Sequence, residues 1–351
     1  MISSKISYYK MSTLMSFVIF ILVLFLYIHI TAHYKKSEDL EIYEADYNTA
    51  KQLQEICDLK QPVLFDIKPI KPDVLDRNSL EQIEHASEKS SFEIHIKDTT
   101  DIRNSPEFAG ESILLPFRSG YGLIETDQKS RFFSENNTEF TANVVPDINE
   151  MDDFLKPQFT MQKKYDILIG SDKSYTSCRY HTEYEKFLLV KNGKIQVKMT
   201  PWKSRKHLYV EHDYLNYEFR SPVDIWNTQD KYKNDIDNVK FLEFEVMEGF
   251  VLYVPPFWFY SIRFLNGNSK PAIVESYTYN SIMNIASNIP QWAMYYLQQF
   301  NTNTKVLPKK NIDENIFIKN PESDIEKDNI EKVEKENRPI ENKNELSDFV
   351  M

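Results

Sequence analysis

Hydrophobic and polar positions divide the chain into four stretches of different pattern. The first is MSTLMSFVIFILVLFLYIHITA, residues 11–32, which holds an uncharged, almost wholly apolar run from Leu14 to Ile30. About 20 apolar residues cross a bilayer as a helix, so this pattern predicts a transmembrane helix over 11–32, with residues 1–10 as a flank. The run is too long for the apolar region of a signal peptide, and no small-x-small cleavage site follows it. Tyr8, Tyr9, Tyr27 and Tyr34 fall where interfacial aromatic belts lie. Lys5 and Lys10 precede the span and Lys35 and Lys36 follow it, which leaves the orientation open.

In residues 33–90 the hydrophobics are thinly spaced among charges, as in EDLEIYEADYNTAKQLQEIC, and a stalk or short helix is expected. Residues 91–303 change again. FEIHI, ILLPF, YDILIG, FLLVKNGKIQVKMTPW, FLEFEVMEGFVLYVPP, FYSIRFL and AIVESYTY are rich in β-branched and aromatic residues and predict strands. Asn192-Gly193, Glu248-Gly249 and Asn266-Gly267 supply turns, and FLLVKNGKIQV is the clearest hairpin. Many short strands without βαβ alternation point to a sandwich, barrel or jelly roll, a mainly β fold. SIMNIASNIPQWAMYYLQQF has helical spacing at Ile282, Ile285 and Ile289, then from Trp292 to Phe300 beyond Pro290, so flanking helices are expected there. Residues 304–351 are charged and poor in aromatics, the composition of a disordered tail; an exposed charged helix over 325–336 is the rival.

Composition removes some functions. A net charge of −11 leaves no basic surface to neutralise phosphates, which argues against nucleic acid as a partner. Of the 42 Lys and Arg, 33 are Lys and 9 are Arg, a skew that points to an AT-rich genome such as that of a large DNA virus or a parasite. Cys57 and Cys178 cannot make a disulfide framework, and no Cys/His cluster has zinc spacing; they form one bridge or stay as two buried thiols, the blander reading. Asn136-Asn137-Thr138 is a sequon, which makes Asn136 a glycosylation candidate and favours an external or lumenal site for this part. His207 and His212, in KSRKHLYVEHDY, read as solvated loop residues, and spacing gives His85 and His95 no partner. No nucleotide loop, nucleophile elbow or HExxH is present.

Two segments carry a resemblance. IGSDKSYTSCRYHTEYEKFLLVKNGKIQVKMTPW and LEFEVMEGFVLYVPPFWFYSI, in this order, resemble the metal-binding strands of cupin-like JmjC dioxygenases. The resemblance covers residues 165–284 and implies a double-stranded β-helix, a jelly-roll barrel with its pocket at the mouth. It also implies a site of two His and one carboxylate on iron(II), with positions left for 2-oxoglutarate and oxygen. His181 and Glu183 match the His-x-Asp/Glu pair, with alternate side chains on one face. Tyr260 stands at the third ligand position, and a phenol with a pKa near ~10 is a poor ligand for iron(II). Phe257, Trp258 and Phe259 would wall the pocket behind the rigid Pro255-Pro256 corner.

Other departures accompany Tyr260. Where a subgroup of the family has a cosubstrate-binding Lys two residues after the turn Gly, this chain has Ile195; Lys194 would face the other way, and Lys186, Thr176 and Tyr175 are the remaining substitutes. The Gly-Asp often found before the last strand is Gly249-Phe250. Without the third ligand, His181-x-Glu183 reads more simply as a hydrogen-bonded pair at a strand start.

The expectation is therefore a single-pass membrane protein, in a host or virion membrane if the genome is viral. Its barrel is expected to be a non-catalytic binding or structural module needing no cofactor, with the bilayer and an unidentified protein as partners. The alternative is a protein hydroxylase using Fe(II) and 2-oxoglutarate through an altered ligand set. Carbonate extraction should leave the full chain in the membrane, and deletion of residues 1–34 should release a folded soluble domain.

Overall fold

The computed structural model describes residues 2–301 apart from 45, 47–48, 105–110, 215 and 268–269, with side chains from Thr13 to Phe300. The charged tail expected over 304–351 lies outside the described residues. In chain order the first strands are β1 (Tyr43–Glu44), β2 (Val63–Asp66), β3 (Glu93–Asp98), β4 (Ile113–Pro116) and β5 (Phe132–Ser134). Then come β6 (Thr160–Gly170), β7 (Arg179–Tyr180), β8 (Glu185–Asn192), β9 (Lys194–Thr200) and β10 (Glu211–Asp213). The last are β11 (Glu218–Arg220), β12 (Leu242–Met247), β13 (Phe250–Val254), β14 (Phe259–Leu265) and β15 (Ala272–Ser281).

These strands form two sheets, ordered β1-β2-β13-β8-β15-β6-β5-β3-β4 and β10-β11-β7-β14-β9-β12. Pairing is antiparallel except between β1 and β2. The expected hairpin is β8–β9. Its turn needs Gly193 at φ +74, where a Cβ would also lie 2.7 Å from the Leu265 carbonyl oxygen. Alternation sorts the side chains of β8: Phe187 and Leu189 face the helical layer, while Leu188 and Val190 face the other sheet. The inter-sheet core is completed by Ile195, Val197 and Met199 of β9 and by Ile262 and Phe264 of β14. All ten residues of β15 are buried, because both faces of this central strand are covered. Cys57 and Cys178 are free, buried thiols.

The stalk expected over 33–90 is not a stalk. β2 pairs with β13, so this segment supplies a strand of the larger sheet. Leu53, Cys57, Val63, Phe65, Ile67, Val74 and Ile83 are buried in the core on that sheet's helical side. The helix Leu80–Ser87 starts with a reciprocal capping box between Ser79 and Gln82. A few apolar residues suffice here because each lands on a surface that the barrel leaves open.

The helix Ile2–His33 carries one segment, Thr13–His33, long and apolar enough to cross a membrane; a signal sequence has the same length and composition. Its end is not separate from the domain. His33 is buried, with the amide of Asn284 2.9 Å from its Nε2, and the Tyr34 hydroxyl donates to the Ser287 carbonyl at 2.5 Å. A deletion of residues 1–34 removes these contacts, so the boundary expected after Tyr34 falls inside the packed structure.

Glu185, the first residue of β8, is fully buried and accepts a 3.0 Å bond from Gln54 of the helix Ala50–Cys57. Burial pushes its carboxyl up to about 7, against smaller opposing effects of Lys60 and Gln54. The folded chain thus holds this proton through a range where the unfolded chain, at the ordinary value of 4.5, has lost it. The contribution of Glu185 to stability should be complete below the unfolded value and be lost as pH rises towards 7, by roughly 3 kcal/mol in all. Urea unfolding at several pH values checks this, and Glu185→Gln should flatten the slope. Phe65→Ala should cost about 3–5 kcal/mol in the same assay, as for a core aromatic, whereas a residue on a solvated stalk would cost under ~0.5.

Candidate functional site

A cavity of about 230 Å³ opens between the two sheets, lined by Arg179, His181, Glu183, Lys186, Asp166 and Tyr260 among others. Arg179, His181 and Glu183 recur at every second position, so one extended stretch presents all three to it. Lys186 enters from β8, Asp166 from β6, and Tyr260 from β14, where it lies opposite Arg179 in register. His181, Glu183 and Tyr260, singled out in the sequence, all line this one cavity.

Their bonding is more particular. His181 Nε2 donates to the Val254 carbonyl at 2.9 Å, which fixes that nitrogen as N–H. Nδ1 is buried without a hydrogen-bond partner and stands 3.4 Å from Glu183 Oε2. Burial alone would raise Glu183, but His181, Lys186 and Lys164 outweigh it and hold the carboxyl well below its usual range. Burial would lower Lys186, yet Tyr260 and Glu183 raise it, so it is charged. Tyr260 is buried with its ring edge towards His181, centroids 6.2 Å apart.

A denser set of charges closes the cavity beside these residues. Glu135 binds Arg179 fork to fork at 2.8 and 2.5 Å and accepts from Lys97 at 2.9 Å; Glu218 lies 3.6 Å from Lys97. Against the cost of burial, Arg179 and Lys97 hold Glu135 far below the carboxylate range, and Arg179 is raised in turn. Asp166 differs: burial raises it, and the backbone N–H groups of Asn136 and Asn137 are its bonds, at 2.9 and 2.7 Å. Sequence reasoning missed Lys97, Glu135, Arg179 and Glu218, since their partners lie on separate strands. Arg179 carried a signal, being one of few arginines and two positions before His181.

The pocket wall is corrected. Phe257 has φ +64, a left-handed conformation that reverses which way the following side chains point. Phe259 then turns outward and stacks on Trp202, with centroids 5.7 Å apart, and Trp258 is buried in the inter-sheet core. Phe257 itself meets His33, Tyr34 and Trp202 on the outer side, so none of the three lines the cavity. Asn136 also turns inward: its amide donates to Glu218, and a glycan on it would have to replace that bond.

Of the substitutes for the cosubstrate handle, only Lys186 lines the cavity. Tyr175 donates to Asp224 at 2.6 Å, Thr176 bonds the backbone of Ile262, Ile195 is in the core, and Lys194 pairs with Glu245 outside. Phe250 packs at the edge of the inter-sheet core. His95 does reach the cavity, with Nδ1 2.7 Å from Ser112 Oγ. His207 is half-buried beside Asp235 at 3.3 Å, while His212 and His85 are exposed.

Two imidazoles line the cavity, and each is already bonded: His181 Nε2 to the Val254 carbonyl and His95 Nδ1 to Ser112 Oγ. Among the described residues no group of three His, Cys, Asp or Glu stands where it could hold a metal ion.

A family model for the cupin-like domain matches residues 77–289, more than half of the 351. Among solved structures, the X-ray structure of E. coli ycfD is similar at 13% identity and a TM-score of 0.43, covering 84% of this chain and 70% of that one. No curated protein is similar enough to count as a match. With a match of that extent, running from β3 to β15 and including the cavity, the chain belongs to the cupin-like domain family.

Proposed function

We propose that this chain is a membrane-tethered cupin-like module that binds a small polar ligand and does not carry out iron chemistry. The donor set of the cavity carries this reading. Its third ligand position is a buried phenol, and its histidine already bonds a main-chain carbonyl. What the cavity does offer is fixed charge: Lys186 and Glu183 face it, and Arg179 is locked in place by Glu135. Such a site selects a ligand by charge and hydrogen bonding.

One observation favours a second reading, a hydroxylase with altered ligands: His181 Nδ1 and the ionised Glu183 are adjacent, and Nδ1 has no hydrogen-bond partner. Anaerobic titration of the detergent-solubilised full chain with iron(II) and 2-oxoglutarate separates the two. We expect no stoichiometric binding by calorimetry; stoichiometric iron lost on His181→Ala, with 2-oxoglutarate turnover in air, would establish the hydroxylase. Tyr260→His supplies the missing imidazole. It should melt lower than wild type, by about 1–3 kcal/mol for a stranded buried polar group plus the lost ring contacts, and still bind no iron. A variant that melts no lower and binds iron stoichiometrically would show a nearly intact metal site.

A further inference from the structure

A second cavity, of about 450 Å³, lies outside the barrel where the N-terminal helix meets the domain. Lys36, Trp202, Arg205, Lys206, Phe257 and Gln291 are among its lining residues, and no carboxylate is. Lys36 Nζ sits 4.2 Å from the ring centre of Trp202 and 4.4 Å from that of Phe257, and the Arg205 guanidinium lies 5.2 Å from the ring centre of the same Trp202. Burial and then repulsion from Arg205 lower Lys36, and the nearest acid to act on it, Glu38, has a smaller effect. Lys36, Arg205 and Lys206 thus form a small positive patch with no carboxylate in its lining, on a chain of net charge −11.

The position of this groove indicates which anion. Lys36 comes three residues after His33, the last residue of the apolar segment, so with that segment in a bilayer the groove stands at headgroup depth. Gln291 belongs to the helix Ile289–Asn301, which packs Trp292 and Tyr295 on Tyr217 and leaves Ile289, Tyr296, Leu297 and Phe300 exposed. Those four fall on one stripe of the helix, and the chain has no charged residue between Glu275 and Lys305. An uncharged helix with an exposed apolar stripe suits acyl chains, and the groove beside it suits a phosphate. We propose that the groove binds the phosphate headgroup of an anionic phospholipid, with the exposed stripe against its acyl chains. The proposal rests on the membrane reading of the N-terminal helix and is independent of what the barrel cavity binds.

The test uses the detergent-solubilised full chain and three probes: dioctanoyl phosphatidic acid, dioctanoyl phosphatidylcholine and inorganic phosphate, with binding followed by native mass spectrometry. Phosphatidic acid should bind in preference to the other two. The exposed double variant Arg205→Ala/Lys206→Ala should lose that preference, and Lys231→Ala/Lys240→Ala, which removes two exposed cations elsewhere, should keep it. Equal affinity for inorganic phosphate, equal loss in the control variant, or binding unchanged by Arg205→Ala/Lys206→Ala would each overturn the proposal. Carbonate extraction separates the two ideas. A chain that stays in the membrane yet shows no preference removes the headgroup site alone, and a chain that is extracted removes the span while the soluble lipid still tests the groove.

Discussion

The fork-to-fork pair of Arg179 and Glu135 is the constraint around which the open end of the barrel is arranged. Arg179 belongs to the smaller sheet, while Glu135 follows β5 of the larger one, so the pair joins the two layers where their apolar core ends. Desolvating both charges is costly, and only near-complete pairing compensates. Lys97 therefore takes up the remaining capacity of Glu135, and Glu218 comes close to Lys97. Once Arg179 is fixed, so is the extended stretch that places His181 and Glu183 beside the cavity, and so is Tyr260 opposite it in register. The position of the candidate site is a by-product of satisfying buried charge.

Much of the barrel was legible because its strands announce themselves locally. The Asn192-Gly193 hairpin and the β-branched runs need no information from elsewhere in the chain. Residues 43–87 were not legible for the opposite reason. Leu53, Val63, Phe65 and Ile67 are too sparse to predict a core, and become one only against strands contributed much later. The ion-pair network shares this property, with Glu135 and Arg179 separated by 44 residues. The aromatic wall failed on backbone geometry: period-two alternation presumes an extended chain, and Phe257 at φ +64 breaks it.

The Pro255-Pro256 corner accordingly does more than turn the chain. It precedes a residue in a left-handed conformation whose N–H bonds the His181 carbonyl at 2.9 Å, and it follows the Val254 carbonyl that receives the His181 ring. His181 is thus held at both its backbone and its side chain by the segment around the prolines. In this chain the histidine has a structural task whether or not chemistry occurs beside it.

The junction of the apolar helix with the domain has a consequence for how partners are met. A domain on a loose tether sweeps a volume set by the tether and presents every side in turn. Here the Asn284 and Asn288 amides both donate to the Thr182 carbonyl, at 2.9 and 3.0 Å, and the same Asn284 amide meets His33. Thr182 lies between His181 and Glu183. With its helix in a bilayer, such a chain would diffuse in two dimensions at a set tilt, its cavity mouth at a constant height above the lipid. Any molecule that reaches the cavity would then have to approach along one direction, and selection would act on the angle of encounter as well as on the fit.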